Sequence, residues 1–373
     1  MKVVIVVPTY NEAKNIGRLL DTVSEEVKNI SHETRVLVVD GTSPDGTADI
    51  VREKMKTYKF VDLVVKEKGG LGADYIYGFK YAMDKMGADV IVEMDADFQH
   101  DPKDVHRLVA EIDNGYDYII GSRFVKGGSI PKEWELKRKL FSKLGNIVSK
   151  FILGIFNIND FTTGYKASRV KGFVDQIDFD SVLSKGFAYK IDLLYKMCKL
   201  GAKVKEVPIQ FATRDEGSSK MEGNNLMDSL RVVITLRLKD KKTQRFLKFC
   251  VVGFTGLFVD SGLFNLFRVT LFNTKMSSLV SGFIAMLTTF LLNNFWSFKE
   301  NKLEGINKKV KSFIVYIISS YIPIIFRSWL IKFSIDSYGD TFIVSNIAFF
   351  IGIVIGLIWN FTIYSKIIWS DKK

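Results

Sequence analysis

Apolar residues follow two different patterns along the chain, and the pattern changes near residue 240. Before that point, short runs rich in Val and Ile alternate with longer stretches in which apolar residues recur every three or four positions. The first pattern predicts strands and the second predicts amphipathic helices. We expect strands at residues 3–8, 35–39, 61–65, 90–94 and 118–120, and helices at residues 15–28, 47–58, 75–85 and 102–114. This alternation predicts an α/β fold with a mostly parallel, doubly wound sheet.

Long apolar stretches rich in Phe, Ile and Leu dominate the chain after residue 240. Four of them, at residues 246–272, 277–298, 313–335 and 342–368, are long enough to cross an apolar layer of about 30 Å. We therefore expect a soluble domain at residues 1–240 and a four-span membrane domain at residues 241–373.

The distribution of basic residues predicts the orientation of these spans. Lysines and arginines crowd residues 239–245, 299–311 and the tail Lys372-Lys373, whereas the connections at 273–275 and 336–340 are poor in positive charge. The positive-inside rule then places both termini and the soluble domain in the cytoplasm. The absence of a signal-peptide layout after Met1 agrees with that expectation.

Composition narrows the possible partners. The 373 residues are 47% hydrophobic and carry a net charge of +12, which suits either nucleic acid or anionic lipid. Since membrane spans are present and neither a zinc-ligand spacing nor a recognition-helix pattern is found, we expect a lipid bilayer and no nucleic acid as partner. The two cysteines, Cys198 and Cys250, lie in different regions and are expected to be free thiols.

The segment Val90–His100 carries the most informative chemistry, because an apolar run ends there in Asp95-Ala96-Asp97. Side chains alternate along an extended chain, so both carboxylates point to one side, and ligands gather at the carboxyl ends of strands in such sheets. Two carboxylates so placed can hold Mg²⁺ or Mn²⁺, which then bridges a diphosphate. A pair of surface acids at a strand end is the alternative interpretation of this segment taken alone.

Two other loops follow predicted strands, Pro8-Thr9-Tyr10-Asn11-Glu12 and Asp40-Gly41-Thr42-Ser43-Pro44-Asp45-Gly46-Thr47. Later motifs are Gly121-Ser122-Arg123-Phe124, Asp160-Phe161-Thr162-Thr163-Gly164-Tyr165-Lys166-Ala167 and Arg214-Asp215-Glu216-Gly217-Ser218-Ser219-Lys220-Met221. Together with the Asp95 motif they resemble the family-2 glycosyltransferases of GT-A fold, and more closely the dolichyl- and polyprenyl-phosphate mannose synthases. The resemblance covers nearly all of residues 1–225. It departs at Gly41, where the family usually has a second acid that helps to hold the nucleobase.

The resemblance implies a role for each matching residue. Asp97 and Gln99 would bind the metal, Mg²⁺ or Mn²⁺, and Asp95 would reach the metal or the ribose and sugar of the donor. The nucleotide pocket would be lined by Pro8, Tyr10, Glu12, Asp40, Asp95 and Ala96. His100, beside the metal motif, is expected to be structural.

The implied acceptor is a dolichyl or polyprenyl phosphate. A phosphate monoester is already ionised near neutral pH, because its second pKa is about 6, so it can attack the sugar without a general base. The enzyme instead needs cations to bring two anionic substrates together. With Asp95 and Asp97, the catalytic residues implied are Arg123, Arg138, Arg214 and Lys220. Arg138 lies in a basic stretch that could also face anionic lipid headgroups.

Residues 134–156 begin basic and end apolar, which favours an amphipathic helix at the membrane surface over a core helix with a basic outer face. The membrane domain resembles the GtrA-like four-helix family. Its second and fourth spans end alike, Leu291-Leu292-Asn293-Asn294-Phe295 against Leu357-Ile358-Trp359-Asn360-Phe361, which hints at duplicated helix pairs. Polar residues within or at the ends of spans serve either function or helix packing; they are Asp260, Asn265, Asn293, Asn294, Arg327 and Asn360.

The leading hypothesis is an inverting transferase that moves mannose from GDP-mannose to a dolichyl or polyprenyl phosphate. A UDP-glucose-dependent glucosyltransferase is the alternative that Gly41 keeps open. A processive polysaccharide synthase is disfavoured, since no Gln-x-x-Arg-Trp motif follows Arg214. A lipid-sugar transporter or scaffold with an inactive catalytic domain is disfavoured by the complete set of motifs.

Overall fold

The computed structural model describes residues 1–213, 225–271, 273–339 and 341–370. The chain divides into two compact units, Met1–Arg237 and Leu238–Lys373. The division falls near the end of a helix and close to residue 240, where the hydrophobic pattern of the sequence changes.

Within the described residues, the first unit contains a seven-stranded sheet with helices on both faces. Its strands are β1 (Lys2–Thr9), β2 (Glu33–Asp40), β3 (Val61–Val65), β4 (Val90–Glu93), β5 (Tyr118–Ser122), β6 (Lys166–Arg169) and β7 (Val204–Pro208). Their spatial order is β3-β2-β1-β4-β6-β5-β7, and all neighbours are parallel except β6, which is antiparallel to β4 and β5. The predicted doubly wound, mostly parallel sheet is confirmed. β6 and β7 were not predicted, because neither is an uninterrupted apolar run.

The helices of this unit are α1 (Ala13–Glu26), α2 (Thr47–Thr57), α3 (Leu71–Asp84), α4 (Val105–Asp113), α5 (Leu136–Leu153), α6 (Tyr189–Lys199) and α7 (Asn225–Lys239). Two apolar cores, one on each face of the sheet, explain the continuous apolar run of β1. Val4 and Val6 pack with α3 and α6 on one face, while Val3, Ile5 and Val7 pack with α1 and α4 on the other. A strand buried on both faces shows no alternation of polar residues.

The register of the central strands positions the candidate site. Thr9 of β1 pairs with Asp40 of β2, and Val6 of β1 pairs with Glu93 of β4. The three strands therefore end at one edge of the sheet. The loops that follow them, which carry the motifs beginning at Tyr10, Gly41 and Asp95, meet there.

In the described part of the second unit, four helices are long and apolar enough to cross a membrane. They are α8 (Lys241–Thr270), α9 (Thr274–Leu292), α10 (Ile306–Tyr338) and α11 (Phe342–Ile363). Each coincides with one predicted span, so the chain is an integral membrane protein.

The helices of the second unit pack mainly as two hairpins, α8 with α9 and α10 with α11. α9 and α11 each continue into a π-helical turn, Asn293–Ser297 and Tyr364–Ile368. The residues after these turns, Phe298 and Trp369, stack on each other with ring centroids 4.7 Å apart inside an aromatic core. The two hairpins fit the predicted helix-pair duplication, although the π turns start five residues out of the register that the sequence similarity suggests.

Candidate active site

Asp40 joins the loops that follow β1 and β2. Its Oδ1 accepts hydrogen bonds from the Thr9 hydroxyl at 2.8 Å and the Ser43 hydroxyl at 2.6 Å, and its Oδ2 accepts one from the Ser43 amide at 2.8 Å. The side chain is fully buried. Asp40 thus lies at the predicted position, but in this structure its carboxylate orders the pocket wall and exposes no oxygen to a nucleotide.

The other predicted nucleotide-binding residues lie around Asp40. Pro8 and Tyr10 are half-buried at the end of β1, and Glu12 Oε2 accepts a hydrogen bond from Asn15 Nδ2 at 3.0 Å. The Lys68 ammonium lies 3.7 Å from the centroid of the Tyr10 ring. A Cβ atom at Gly41 would stand 3.4 Å from both Tyr10 Cδ2 and Lys68 Cβ. The stacked Lys68 and Tyr10 therefore border the space beside Gly41, where the family resemblance would place a second acid.

Asp95 is held by its neighbours on the buried side. Its Oδ1 accepts a hydrogen bond from the Tyr75 hydroxyl at 2.8 Å, and its Oδ2 lies 3.6 Å from the Lys190 ammonium. The Asp95 amide donates to His100 Nδ1 at 3.2 Å. Burial lowers the pKa of His100 to about 4, so the ring is neutral at pH 7 and accepts this bond. His100 also stacks on Tyr165, which agrees with the expected structural role.

Asp97 and Gln99 supply the oxygens that fit a divalent cation. Asp97 Oδ1 accepts a hydrogen bond from the Gln99 amide at 3.1 Å, and Gln99 Nε2 donates to the Ala212 carbonyl at 3.3 Å, which leaves the amide oxygen available. The turn between them is tight, because Phe98 adopts a left-handed φ of 59° and Arg18 covers its ring. Within the described residues, no cluster of three or more His, Cys, Asp or Glu forms a metal site. One carboxylate and one amide, completed by substrate phosphates and water, suit Mg²⁺ or Mn²⁺.

Arg123 is brought to the same edge of the sheet, but most of its guanidinium is already engaged. Its Nε and Nη2 donate to the two oxygens of Asp160 at 2.7 Å each, and Nη2 also donates to the Thr162 hydroxyl at 2.7 Å. Burial alone would raise the pKa of Asp160, but the charge and hydrogen bonds of Arg123 outweigh it and hold that pKa below its ordinary value. Asp160 thus fixes Arg123 through its Nε and Nη2 atoms.

An aromatic chain connects Arg138 to this site. Arg138 at the start of α5 lies over the Trp134 ring at 3.9 Å, and Trp134 packs edge-on against Phe211 at 5.8 Å. Phe211 in turn contacts the guanidinium of Arg123 at 5.2 Å and the ring of His100 at 5.4 Å. The structure therefore places Arg138 at the rim of the site rather than on a remote basic surface.

Arg214 and Lys220 lie outside the described residues. The described chain before them runs along the metal motif, because the Ala212 amide donates to the Gln99 carbonyl at 3.2 Å.

The sequence did not predict a layer of buried polar side chains beneath the Asp95–Asp97 motif. The Tyr189 hydroxyl donates to Glu93 at 2.6 Å, and the Lys166 ammonium donates to the Lys190 carbonyl at 2.9 Å. Burial raises the pKa of Glu93 and lowers the pKa of Lys166 to about 8. A lysine between apolar neighbours, as in Ala188-Tyr189-Lys190-Ile191, was the available signal.

The absence of a side chain at Gly164 allows Lys190 to reach Asp95. A Cβ atom at this position would stand only 2.2 Å from the Lys190 ammonium nitrogen. The small residue of the Thr163-Gly164 turn therefore leaves the channel through which the lysine passes. This packing role for Gly164 was not expected from the sequence.

Comparison with known proteins agrees with this architecture. Residues 4–174 match Glycosyl transferase family 2, and residues 248–369 match the GtrA/DPMS transmembrane domain. A dolichol-phosphate mannosyltransferase from Pyrococcus furiosus is 30% identical over 371 residues, covering 99% of this chain and 100% of that protein. The chain belongs to the dolichyl- and polyprenyl-phosphate mannosyltransferase family.

Two other mannosyltransferases match about three fifths of the chain. The polyprenol monophosphomannose synthase of Mycolicibacterium smegmatis is 38% identical over 61% of this chain and 84% of its own length. The undecaprenyl-phosphate mannosyltransferase of Micrococcus luteus is 39% identical over 60% of this chain and 88% of its own length. Among solved structures, glucosyl-3-phosphoglycerate synthase from Mycobacterium tuberculosis, in complex with Mn²⁺, UDP-glucose and phosphoglyceric acid, has a TM-score of 0.46 at 16% identity, covering 63% of this chain and 79% of that chain.

Proposed function

We propose that this protein transfers mannose from GDP-mannose to a dolichyl or polyprenyl phosphate, with inversion at the anomeric carbon. The observation that carries the proposal is the meeting, at one sheet edge, of the acidic Asp95–Asp97 motif and the fixed arginine Arg123. The acidic motif suits a metal-bound diphosphate leaving group, and the arginine suits a second anionic substrate.

The chemistry needs one nucleophile and one leaving group. An oxygen of the acceptor phosphate forms a bond to the anomeric carbon while the bond from that carbon to the diphosphate oxygen breaks, and the nucleoside diphosphate departs. Asp97 and Gln99 would hold a divalent cation, which would supply positive charge to the leaving diphosphate. Asp95, oriented by Tyr75 and Lys190, would receive hydroxyls of the donor ribose or sugar.

The acceptor phosphate would be bound by Arg123 Nη1 and Arg138, together with Arg214 and Lys220 from the neighbouring motif. Arginine makes paired hydrogen bonds to phosphate oxygens. The Asp160 ion pair keeps Arg123 from turning away when no substrate is bound, which reduces the reorganisation that binding requires.

The outer face of α5 supports a location at the membrane surface. Leu153 and Asn146 face inward, whereas Leu140, Leu144 and Phe151 are exposed. The outer face is therefore apolar. A core helix, the alternative interpretation of this segment, would have a basic outer face. Lysines flank this face, which suits binding to anionic lipid. The helix would bring the Arg138 end of the site to the headgroup layer.

α7 carries a second apolar stripe, which the sequence analysis did not predict. Val232, Val233 and Leu236 pack into the core, while Met227 and Ile234 are exposed on the other side. We infer that both helices bind the bilayer surface and that the catalytic unit faces the cytoplasm with both termini.

A glucosyltransferase that uses UDP-glucose remains the second candidate, because of one observation. Gly41 stands where the family resemblance would place a second acid, and the Lys68–Tyr10 stack borders that space. A lysine there would donate to base oxygens rather than to base amino groups, and uracil and guanine both offer such oxygens.

The deciding experiment supplies the purified protein with farnesyl phosphate and radiolabelled GDP-mannose or UDP-glucose in Mg²⁺ or Mn²⁺, then extracts the lipid. Label from GDP-mannose in the lipid fraction, released by mild acid as mannose, is the expected result. Label from UDP-glucose alone would replace the donor assignment with the second candidate. Label from neither donor would overturn the proposed activity.

A further inference from the structure

Several polar side chains within the spans have protein partners. Asp260 accepts a hydrogen bond from the Ser281 hydroxyl at 2.6 Å, and Asn294 Oδ1 accepts one from the Trp369 indole at 2.9 Å. Arg327 is different. Within the described residues it has no hydrogen bond or ion pair, and its guanidinium lies over the Phe349 ring at 5.1 Å.

Arg327 lies well inside the apolar part of α10. It is sixteen residues after Lys311 and five before Lys332, which places it about 24 Å and about 8 Å along the helix from these charges. An unpaired cation at such a depth is unfavourable and usually marks a binding site or pathway.

The packing of α10 on α11 holds this side chain in place. A Cβ atom at Gly352 would stand 2.5 Å from Arg327 Cγ, and one at Gly356 would stand 2.9 Å from Pro323 Cβ. The two glycines, four residues apart, therefore form a groove that receives the arginine stem and the proline ring. Pro323 leaves the Ser319 carbonyl without its helical donor, and the Trp359 indole donates to that carbonyl at 3.2 Å.

A cavity of about 310 Å³ opens beside Arg327 between α8, α10 and α11. Gly253, Ser320 and Asn360 contribute to its lining, and most of the remaining wall is apolar. Asn360 Oδ1 is buried and has no hydrogen-bond partner among the described residues. The lining residues of the cavity thus include one cation without an anionic partner and one side chain with an unpaired acceptor, a combination that suits a ligand with both an anionic group and a hydroxyl.

We propose that this cavity binds the headgroup of a sugar-phosphate polyprenyl lipid, with the phosphate on Arg327 and a sugar hydroxyl donating to Asn360 Oδ1. Arginine makes paired bonds to phosphate, a bare phosphate would leave the Asn360 acceptor unsatisfied, and the apolar walls suit the first isoprene units. The inference rests on the proposed function, since this lipid is the product of that reaction. It adds a product-binding site in the membrane unit, separate from the catalytic residues.

The test uses the full chain in detergent and farnesyl-phosphoryl mannose carrying a photoactivatable diazirine on its first isoprene unit. Irradiation and peptide mapping should place cross-links on residues 320–327 and 352–360, and unlabelled farnesyl-phosphoryl mannose should compete better than farnesyl phosphate, phosphatidylglycerol or inorganic phosphate. Arg327→Met, which keeps the stem in the Gly352 groove, should reduce these cross-links at least tenfold, and Arg327→Lys should restore part of them.

Arg268→Met is the matched control, because Arg268 is an exposed arginine of the same unit that also lies over a phenylalanine ring, that of Phe264. The Arg268→Met variant should form the same cross-links, to the same extent, as the unmodified protein. Asn360→Leu should remove the preference for the mannosyl lipid over farnesyl phosphate.

Cross-links absent from both segments of the unmodified protein would overturn the inference without any variant. Equal competition by phosphatidylglycerol would also overturn it, since a general lipid contact would then explain the labelling. The transfer assay on the unmodified protein separates the two claims. Transfer without these cross-links leaves the proposed function standing and removes only this site, whereas absence of transfer removes the proposed function.

Discussion

Asp95 and Asp97 are separated in the chain by Ala96 alone, yet their side chains have different surroundings. Asp95 is held by a tyrosine hydroxyl and a buried ammonium, which partly neutralise its charge. Asp97 accepts a bond from the Gln99 amide and stands beside the Gln99 side chain, the other oxygen donor proposed for the metal. We therefore expect Asp95 to orient the donor and Asp97 to bind the metal.

Substitution by asparagine should reveal this difference. Asp97→Asn should weaken Mn²⁺ binding and lower transfer by at least two orders of magnitude, which corresponds to about 2.7 kcal/mol of transition-state stabilisation. Asp95→Asn should lower transfer while changing Mn²⁺ affinity much less. Electron paramagnetic resonance of Mn²⁺ measures binding independently of turnover. Equal losses of Mn²⁺ affinity in the two variants would contradict the separate roles, and full activity in excess EDTA would exclude the metal.

Lys190 should act as a positioning residue for Asp95. Lys190→Met keeps most of the buried volume but removes the ammonium, so transfer should fall about 10- to 100-fold, as is typical when a residue that orients a ligand is lost. The loss should appear mainly in the kcat and KM for the sugar nucleotide. Lys196→Met, on the same helix but paired with Asp192 at 3.0 Å, is the matched control and should keep its donor kinetics. Similar effects in both variants would indicate general damage to α6.

Asp160 gives a prediction about pH because its pKa is lowered by the Arg123 pair. A carboxylate whose pKa is lower in the folded protein stabilises the fold at pH values above its pKa in the unfolded chain, which is about 3.9 for Asp. This stabilisation is lost as the pH falls through the pKa of the folded protein. Asp160→Asn leaves the Arg123 charge buried and unpaired, so it should destabilise the protein at pH 7 by about 3–5 kcal/mol. That difference should shrink below about pH 4.

Thermal unfolding in detergent across pH measures this effect. Asp62→Asn is the control, because Asp62 makes the same two-pronged contact with Arg35 on the half-exposed surface. It should cost less than about 1 kcal/mol. A constant Asp160→Asn difference down to pH 3 would show that the pair does not titrate as described.

At the scale of elements, the sequence predicts best where one local pattern decides the structure. The apolar runs of β1 and β4 and the four spans were all located, because burial on both faces or in lipid leaves a continuous signal. β6 and the Arg123–Asp160 pair were not, since a short polar strand is stabilised by its neighbours and an ion pair joins residues far apart in the chain. Lys190 was missed for the same reason, because its partner Asp95 lies on another element.

The exposed face of α5 predicts membrane attachment by the catalytic unit. Replacing Leu144 and Phe151 by glutamate should release this face from the bilayer, because two charges cannot enter the apolar layer and they oppose anionic lipid. Transfer to a long polyprenyl phosphate in liposomes should fall, while transfer to farnesyl phosphate in detergent should persist. The matched control replaces Lys137 and Lys143 by glutamine, which should change only the dependence on anionic lipid. Equal loss with both acceptors would place α5 in the catalytic site itself.

At the scale of the whole molecule, the division of the chain separates the residues proposed for the reaction from the four candidate membrane spans. Every described residue proposed for donor, metal or acceptor binding in the reaction lies before residue 214, and the four candidate spans lie after residue 240. The chain ending at Lys239 retains the described catalytic residues and the apolar faces of α5 and α7. We therefore expect it to bind the sugar nucleotide with unchanged affinity and to transfer mannose to detergent-soluble farnesyl phosphate.

The same shortened chain should be much weaker toward a long polyprenyl phosphate in liposomes, because two surface helices bind a bilayer reversibly whereas four spans do not leave it. Calorimetry of nucleotide binding and parallel assays with the two acceptors measure these effects. Attaching the shortened chain to nickel-chelating liposomes through a terminal histidine tag is the control. It should restore transfer to the long acceptor if the spans act only as an anchor. A well-folded shortened chain that binds the nucleotide but fails with both acceptors, even when attached, would show that the spans contribute directly to the acceptor site.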